Sequence, residues 1–234
     1  MSETQNTLTI TTADGEFSAF VAQPSVHPAP VIVVIQEIFG INEDMRTTCR
    51  QLAAQGYLAV CPDLFWRQEP GVSLTDKSQA EWDKAFALYQ GFDVAKGVED
   101  IAATLAAARA LPQAGTKAGV VGYCLGGLLA YLSAARTDVD AAVSYYGVGI
   151  EGHLGEAGNI DQALLMHMGE ADSFVSAEAR AQIIAALQSK PAVQVHVYPG
   201  CDHAFARNAG AHFDADAAQL ANSRTAEFFA QHLK

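Results

Sequence analysis

Little positive charge, few cysteines and no long apolar stretch mark this chain of 234 residues, and each shortage removes a class of function. Lysine and arginine number 14 against 26 aspartates and glutamates, a net charge of −12. So acidic a balance argues against nucleic acid or an anionic membrane as partner. Any anionic substrate has to be drawn in by locally placed arginine or lysine. The four cysteines, Cys49, Cys61, Cys124 and Cys201, are scattered without CxxC spacing, which suggests neither a disulfide framework nor a zinc knuckle. Cys201-Asp202-His203 does place a thiol near an imidazole, but two further ligands are missing and no metal is expected. No apolar run approaches the ~20 residues of a membrane span, and Met1–Asn6 lacks the basic start and apolar stretch of a secretory signal, so a cytoplasmic protein is expected. Internal repeats, low-complexity tracts and charge blocks are lacking too, and Pro24 to Pro30 reads as a short connector.

What the chain has is 50% hydrophobic residues, enough for one sizeable core, and a single domain over 1–234 is expected. Thr7–Thr12 and Phe17–Gln23 flank Asp14-Gly15, which is a β-hairpin signal. Apolar, β-branched runs then alternate with helical patterns. The strands are Val31–Ile35, Leu58–Cys61, Ala118–Tyr123, Ala141–Tyr146, Leu164–Met168 and Val193–Tyr198. The helices are Met45–Gln55, stretches around Ser78–Leu88 and Val94–Leu111, one after Tyr123, Ala177–Gln188, and a last one from about Ala211 to Leu233. Continuous apolar strands separated by helices predict an α/β fold, a mostly parallel central sheet of about eight strands with helices on both faces.

In such sheets the ligand crevice lies outside the carboxyl ends of the strands, so polar residues just past each strand are the candidates. Gly122-Tyr123-Cys124-Leu125-Gly126, between an apolar strand and a helix-prone segment, reads as a nucleophile elbow. Its glycines let the backbone bend sharply and leave the central side chain exposed. Glu37 follows the strand Val31–Ile35, Asp172 follows Leu164–Met168, and His203 follows Val193–Tyr198. The order Cys124, Asp172, His203 is that of α/β-hydrolase triads, unlike the trypsin-like or subtilisin-like orders. In that reading His203 activates the thiol, Asp172 holds the other ring nitrogen, and the N–H groups of Leu125 and Ile38 form the oxyanion hole. Arg207, four residues past His203, suits a substrate carboxylate because its fork binds both oxygens. Phe39, Phe65, Trp66, Trp82 and Phe205 could line an apolar pocket, and Tyr145 or Tyr146 could touch substrate, while core packing accounts for them equally well. His167, inside a strand read as buried, is expected to be a satisfied core histidine, and Cys49 and Cys61 are expected to be inert.

Gln36-Glu37-Ile38-Phe39-Gly40, Ala59-Val60-Cys61-Pro62-Asp63-Leu64, Val121-Gly122-Tyr123-Cys124-Leu125-Gly126-Gly127, Tyr145-Tyr146-Gly147-Val148-Gly149 and His203-Ala204-Phe205-Ala206-Arg207 together carry a specific resemblance. Over nearly its full length the chain resembles the dienelactone hydrolases, the carboxymethylenebutenolidases of the α/β-hydrolase superfamily. The resemblance implies hydrolysis of an enol-lactone, typically carboxymethylenebut-2-en-4-olide to maleylacetate, in chlorocatechol breakdown. It also implies that Glu37 takes part in switching the cysteine to its attacking form, pairing with Arg207 in the resting enzyme. The family binds the substrate carboxylate with two arginines. Aligning on Gln90-Gly91-Phe92-Asp93 puts Trp82 at the place of the second, and Phe86 stands where a tyrosine is usual. These departures leave the hydrolase reading intact and open the question of substrate. The expected partner is a small-molecule lactone or ester, without cofactor, metal, nucleic acid or membrane, acted on by a monomer. Two alternatives stay open: a general carboxylesterase or thioesterase, and a catalytically silent hydrolase fold serving as a ligand-binding or redox-sensing module.

Overall fold

The computed structural model describes residues 6–208 and 210–234, which fall in two compact units, Met1–Ala118 and Gly119–Lys234. Met1–Gln5, most of the segment read for a signal, lie outside the described residues.

In the first unit, β1 (Thr7–Thr12) and β2 (Gly15–Ala22) form the expected hairpin, Thr12 paired with Gly15 and Leu8 with Ala19. The tight turn demands Gly15, whose φ of 141° is closed to most side chains. β2 runs antiparallel to β4 (Leu58–Pro62), and β4 parallel to β3 (Ala29–Ile35), giving the order β1-β2-β4-β3. Val31–Ile35 and Leu58–Cys61 are wholly buried, which is why they read as continuous apolar runs and not as alternating ones. Three helices accompany them, each begun by a side chain that satisfies an orphan N–H. Asn42 caps α1 (Glu43–Ala54), Ser78 caps α2 (Gln79–Gln90) and Asp93 caps α3 (Val94–Arg109). At α2 the cap is reciprocal, Ser78 Oγ accepting from the Glu81 N–H and donating to its carboxylate at 2.8 Å.

The second unit takes up the end of β5 (Ala114–Tyr123), with β6 (Ala141–Tyr145), β7 (Ala163–Gly169) and β8 (Val193–Tyr198) parallel in that order. Register places Tyr123 beside Tyr145 and Tyr145 beside His167, so the strands end at one level. The helices are α4 (Leu125–Arg136), α5 (Ala177–Leu187) and α6 (Ala215–Leu233). A Cβ on Gly119 would press on Leu233 and Phe229 of α6, and one on Gly122 would strike the start of α4 at Gly126. Residues three apart in a strand face opposite ways, so α6 and α4 cover opposite faces of these strands. Among the described residues eight strands, mostly parallel and alternating with helices, make the α/β class.

Three elements differ from expectation. β5 starts at Ala114, four residues earlier than the apolar run Ala118–Tyr123 suggested. α6 starts at Ala215, four residues later than the apolar spacing suggested, because Asp214 accepts from the Ala217 N–H and sets the helix start. Ile150–Asn159 forms a 3₁₀ segment, kinked at His153, which its glycine-rich composition had hidden from any periodicity.

Candidate active site

Cys124 sits where β5 turns into α4, with φ 55° and ψ −115°, a conformation rare for a residue with a side chain. Contacts on both sides hold it there. Its N–H donates to the Tyr145 carbonyl at 3.1 Å, and its own carbonyl accepts from Gly127 at 2.9 Å. Glycine is obligatory around it: a Cβ on Gly122 would lie 1.9 Å from the Gly126 carbonyl oxygen, and one on Gly127 2.6 Å from that of Tyr145. The elbow therefore leaves the Cys124 thiol half-buried at the positive end of α4, with the Leu125 N–H next in line. A helix N-terminus of this kind favours negative charge on an atom placed against it.

The loops after β7 and β8 bring Asp172 and His203 together. His203 Nδ1 lies 3.1 and 3.0 Å from the two carboxylate oxygens of Asp172, and both side chains are buried. Asp172 is itself held, its Oδ1 accepting from the N–H groups of Phe174 at 2.9 Å and Val175 at 3.2 Å. A carboxylate can only accept, so Nδ1 carries a proton and Nε2 is the basic nitrogen. Nε2 is buried and makes no well-formed hydrogen bond among the described residues, while the Cys124 thiol acts on the ring as a loosely aligned partner. Burial is the largest single influence on the ring and disfavours its charge. The hydrogen bonds and charges of Asp172 and Cys124 together outweigh it, and the His203 pKa is pushed up to about 10. A proton leaving the thiol thus has a strong, oriented acceptor.

Aromatic side chains surround the imidazole. Tyr146 meets it edge-on with ring centroids 5.1 Å apart, and Phe174 lies 4.8 Å away on the acid loop, 46% exposed. Phe174 went unnoticed in the sequence; its place two residues past Asp172 was the available signal. The structure separates the two candidate tyrosines. Tyr145 is fully buried, its hydroxyl 2.9 Å from Asn222 Oδ1 and 2.7 Å from Thr225 Oγ1, which makes it a core residue and not an exposed substrate contact. Tyr146, at φ 38°, leaves the strand's alternation and packs on His203 and Phe205 instead. Arg207 is buried in the same unit, four residues past His203.

In the first unit, Glu37, Ile38 and Phe39 are buried in the segment after β3. Trp82 on α2 stacks on Phe86 at 5.4 Å, meets Phe39 edge-on at 5.0 Å, and donates from Nε1 to the Asp76 carbonyl at 3.0 Å. Lys84, near it in sequence, is paired with Glu69 at 2.6 Å on the surface. Cys49 and Cys61 are fully buried, and burial, with Cys61 beside it, pushes the Cys49 thiol well up, away from the reactive form. Among the described residues no group of three or more His, Cys, Asp or Glu side chains is placed to hold a metal ion, and no helix is long and apolar enough to cross a membrane.

His167 is the satisfied core histidine expected. Arg224 can only donate, and it does so to the Tyr198 hydroxyl at 3.1 Å, so that hydroxyl donates onward to His167 Nδ1 at 2.8 Å. His167 Nε2–H then donates to Thr225 Oγ1 at 3.0 Å, which leaves the ring neutral. Burial first, then the charges of His196 and Arg224, hold its pKa well below the ordinary 6.5. The unfolded chain takes up a proton below that value and the native ring does not, so stability falls as pH drops through 6.5 and is unaffected by this group above it. The expected loss approaches about 1.4 kcal/mol per pH unit. Denaturant unfolding at pH 7 and pH 5 checks it: His167→Gln should show a slope shallower by about one proton, and equal slopes would show that another group titrates.

Residues 17–233 match the model of the dienelactone hydrolase family. A Pseudomonas putida carboxymethylenebutenolidase is 46% identical over 224 residues, 95% of each chain. An Azospirillum brasilense protein assigned as a carboxymethylenebutenolidase is 56% identical over 221 residues, 94% of this chain and 95% of that one. A solved Klebsiella pneumoniae structure, assigned as a dienelactone hydrolase, superposes with a TM-score of 0.84 at 26% identity, covering 96% of this chain and 97% of the other.

Proposed function

Given that the chain belongs to the dienelactone hydrolase family and is a hydrolase of the carboxymethylenebutenolidase type, we propose that it opens the enol-lactone ring of dienelactone through a thioester on Cys124. The single observation supporting this most strongly is a half-buried thiol on a strained elbow, electrostatically coupled to a buried imidazole whose far nitrogen is tied to Asp172. In this reading the Cys124 sulfur gives its proton to His203 Nε2 and attacks the lactone carbonyl carbon. The oxyanion is held by the Leu125 N–H at the start of α4, with Ile38 supplying a second N–H. The ring C–O bond then breaks, and its electrons leave as an enolate that takes the proton held on His203 Nε2 and settles as a ketone, leaving the imidazole neutral and the maleylacetyl group on Cys124 as a thioester. An enolate is a far better leaving group than an alkoxide, so the nucleophile and one base suffice. His203 next takes a proton from water as that water attacks the thioester carbonyl; the C–S bond breaks, maleylacetate leaves, and the sulfur recovers the proton from His203.

Arg207 is the proposed anchor for the substrate carboxylate, and Glu37 the proposed switch on the cysteine; both roles rest on the resemblance. The assay that tests the whole reading uses purified protein with cis- and trans-dienelactone, p-nitrophenyl esters and an acyl-thioester. Dienelactone turnover that survives a chelator, and is lost on thiol alkylation unless a competing carboxylate protects, is the expected result. Preference for the thioester or the simple ester would favour the broader esterase reading.

Trp82, with Phe39, is proposed to line the substrate pocket in place of a second anchoring arginine. A hydrogen bond to a charged group contributes roughly 1.5–3 kcal/mol, and ~1.4 kcal/mol is tenfold in affinity. Trp82→Arg is therefore expected to lower KM for the anionic lactone by about tenfold, its guanidinium resting against the Phe39 and Phe86 rings. Arg207→Ala should remove most of what affinity remains. An unchanged KM in Trp82→Arg would place the clamp elsewhere.

A further inference from the structure

We infer that Asp202 is a positioning residue for the proposed triad, fixing the acid loop against the base loop through one carboxylate oxygen; the inference rests on the triad reading above. Asp202 Oδ1 accepts from the Ser173 N–H at 2.8 Å and from the His203 N–H at 2.6 Å. One donor adjoins Asp172 and the other belongs to the base itself. The link runs opposite to the Asp172–His203 bond: there an acid-loop carboxylate grips the base ring, here a base-loop carboxylate grips the acid-loop backbone. Crossed in this way, the two carboxylates fix both the direction of the imidazole and the distance between the loops that carry the pair.

The loop needs such a hold. Ala204, immediately after His203, has φ 60°, which costs energy for a residue with a Cβ and persists only when its surroundings impose it. His212 adds to the hold, donating from Nδ1 to the His203 carbonyl at 3.2 Å and lying 3.6 Å from Asp202 Oδ2. Burial favours the neutral acid, but the amide donors and His212 outweigh it and keep the Asp202 carboxyl below its ordinary range. Three more ties between the loops lie further back. They run from the Ala171 N–H to the Cys201 carbonyl, from the Glu170 N–H to the Tyr198 carbonyl, and from the Gly200 N–H to Glu170 Oε2. Removing Asp202 therefore leaves the loops attached at their base, while at the tip the Asp172–His203 pair and the Phe174 ring lose the backbone link that holds them in register. The expected defect is misplacement, not unfolding.

The geometry also separates hydrogen bonding from charge. An asparagine keeps an oxygen that can accept both N–H groups, and an alanine keeps none. The experiment measures kcat and KM for dienelactone in wild type, Asp202→Ala, Asp202→Asn and His203→Ala, each normalised to thiol titrated by alkylation. A proton NMR spectrum recorded alongside follows the downfield Nδ1–H resonance of His203. Asp202→Ala should lose about tenfold to a hundredfold in kcat, since a small misplacement of a catalytic group has that effect, with KM within about twofold. Asp202→Asn should recover to within about threefold and retain the downfield resonance that alanine broadens or shifts. Wild-type kcat in Asp202→Ala alongside an inactive His203→Ala would overturn this inference and leave the triad standing. Asparagine as impaired as alanine would also overturn it, by showing that charge and not positioning matters. Full activity in His203→Ala would remove the triad itself, and this inference with it.

Discussion

Replacing Cys124 with alanine should reduce kcat for dienelactone by about four to six orders of magnitude, the range found when a nucleophile is removed from a site whose remaining parts persist. The fold should survive, because Cys124 is held by its backbone: its N–H and carbonyl are bonded to Tyr145 and Gly127, and the change removes only a half-buried sulfur. Circular dichroism and an unfolding midpoint close to wild type would establish that the loss is chemical. Cys124→Ser should retain little more activity. An alcohol is much harder to ionise than a thiol, and the proposed attack depends on that ionisation. Steady-state rates on the best substrate decide the matter. Full activity in Cys124→Ala would sink the nucleophile assignment, and a serine variant of equal rate would show that sulfur is incidental.

Asp172→Asn should lower kcat by about four orders of magnitude, and the hydrogen bonds around Asp172 explain why an isosteric change does so much. Oδ1 accepts from the Phe174 and Val175 N–H groups, so an asparagine must keep its oxygen there. Its NH2 then occupies the position of Oδ2, 3.0 Å from His203 Nδ1. That donor competes with the retained oxygen, 3.1 Å from Nδ1, and where it prevails Nδ1 accepts, the ring proton moves to Nε2 and the proposed base for the Cys124 thiol is lost. The imidazolium would also lose the anion that stabilises it. Activity should thus fall without loss of fold, with KM little changed. The ring proton, followed by nitrogen-edited NMR, should shift from Nδ1 in the wild type to Nε2 in the variant. A variant within tenfold of wild type would mean that His203 finds its tautomer without Asp172.

Much of this protein is legible without coordinates because burial on both faces writes itself into a strand as an unbroken apolar run. Val31–Ile35 and Leu58–Cys61 are such runs. Helix starts at Asn42, Ser78, Asp93 and Ser176 are equally local, since a cap and its N–H are three residues apart. The elbow is local too: only glycine tolerates the approach of Gly122 to Gly126, and the spacing shows in the string itself. The chain order of cysteine, aspartate and histidine, each just beyond a parallel strand, carried the candidate site.

What only the tertiary structure decided depends on contacts between residues far apart in the chain. Neighbouring tyrosines at the end of β6 look alike in sequence. Tyr145 is committed to the core by Asn222 and Thr225, 77 and 80 residues away, and Tyr146 turns to His203 because its backbone leaves the alternation at φ 38°. The neutrality of His167 is settled by a proton chain starting at Arg224 on α6, Phe174 against the imidazole by the path of the acid loop, and Asp202's grip on Ser173 by the meeting of two loops. Apolar burial is a sum over many residues and survives in composition and periodicity. The direction of one side chain or one proton is set by a single distant partner, and no window of sequence contains both.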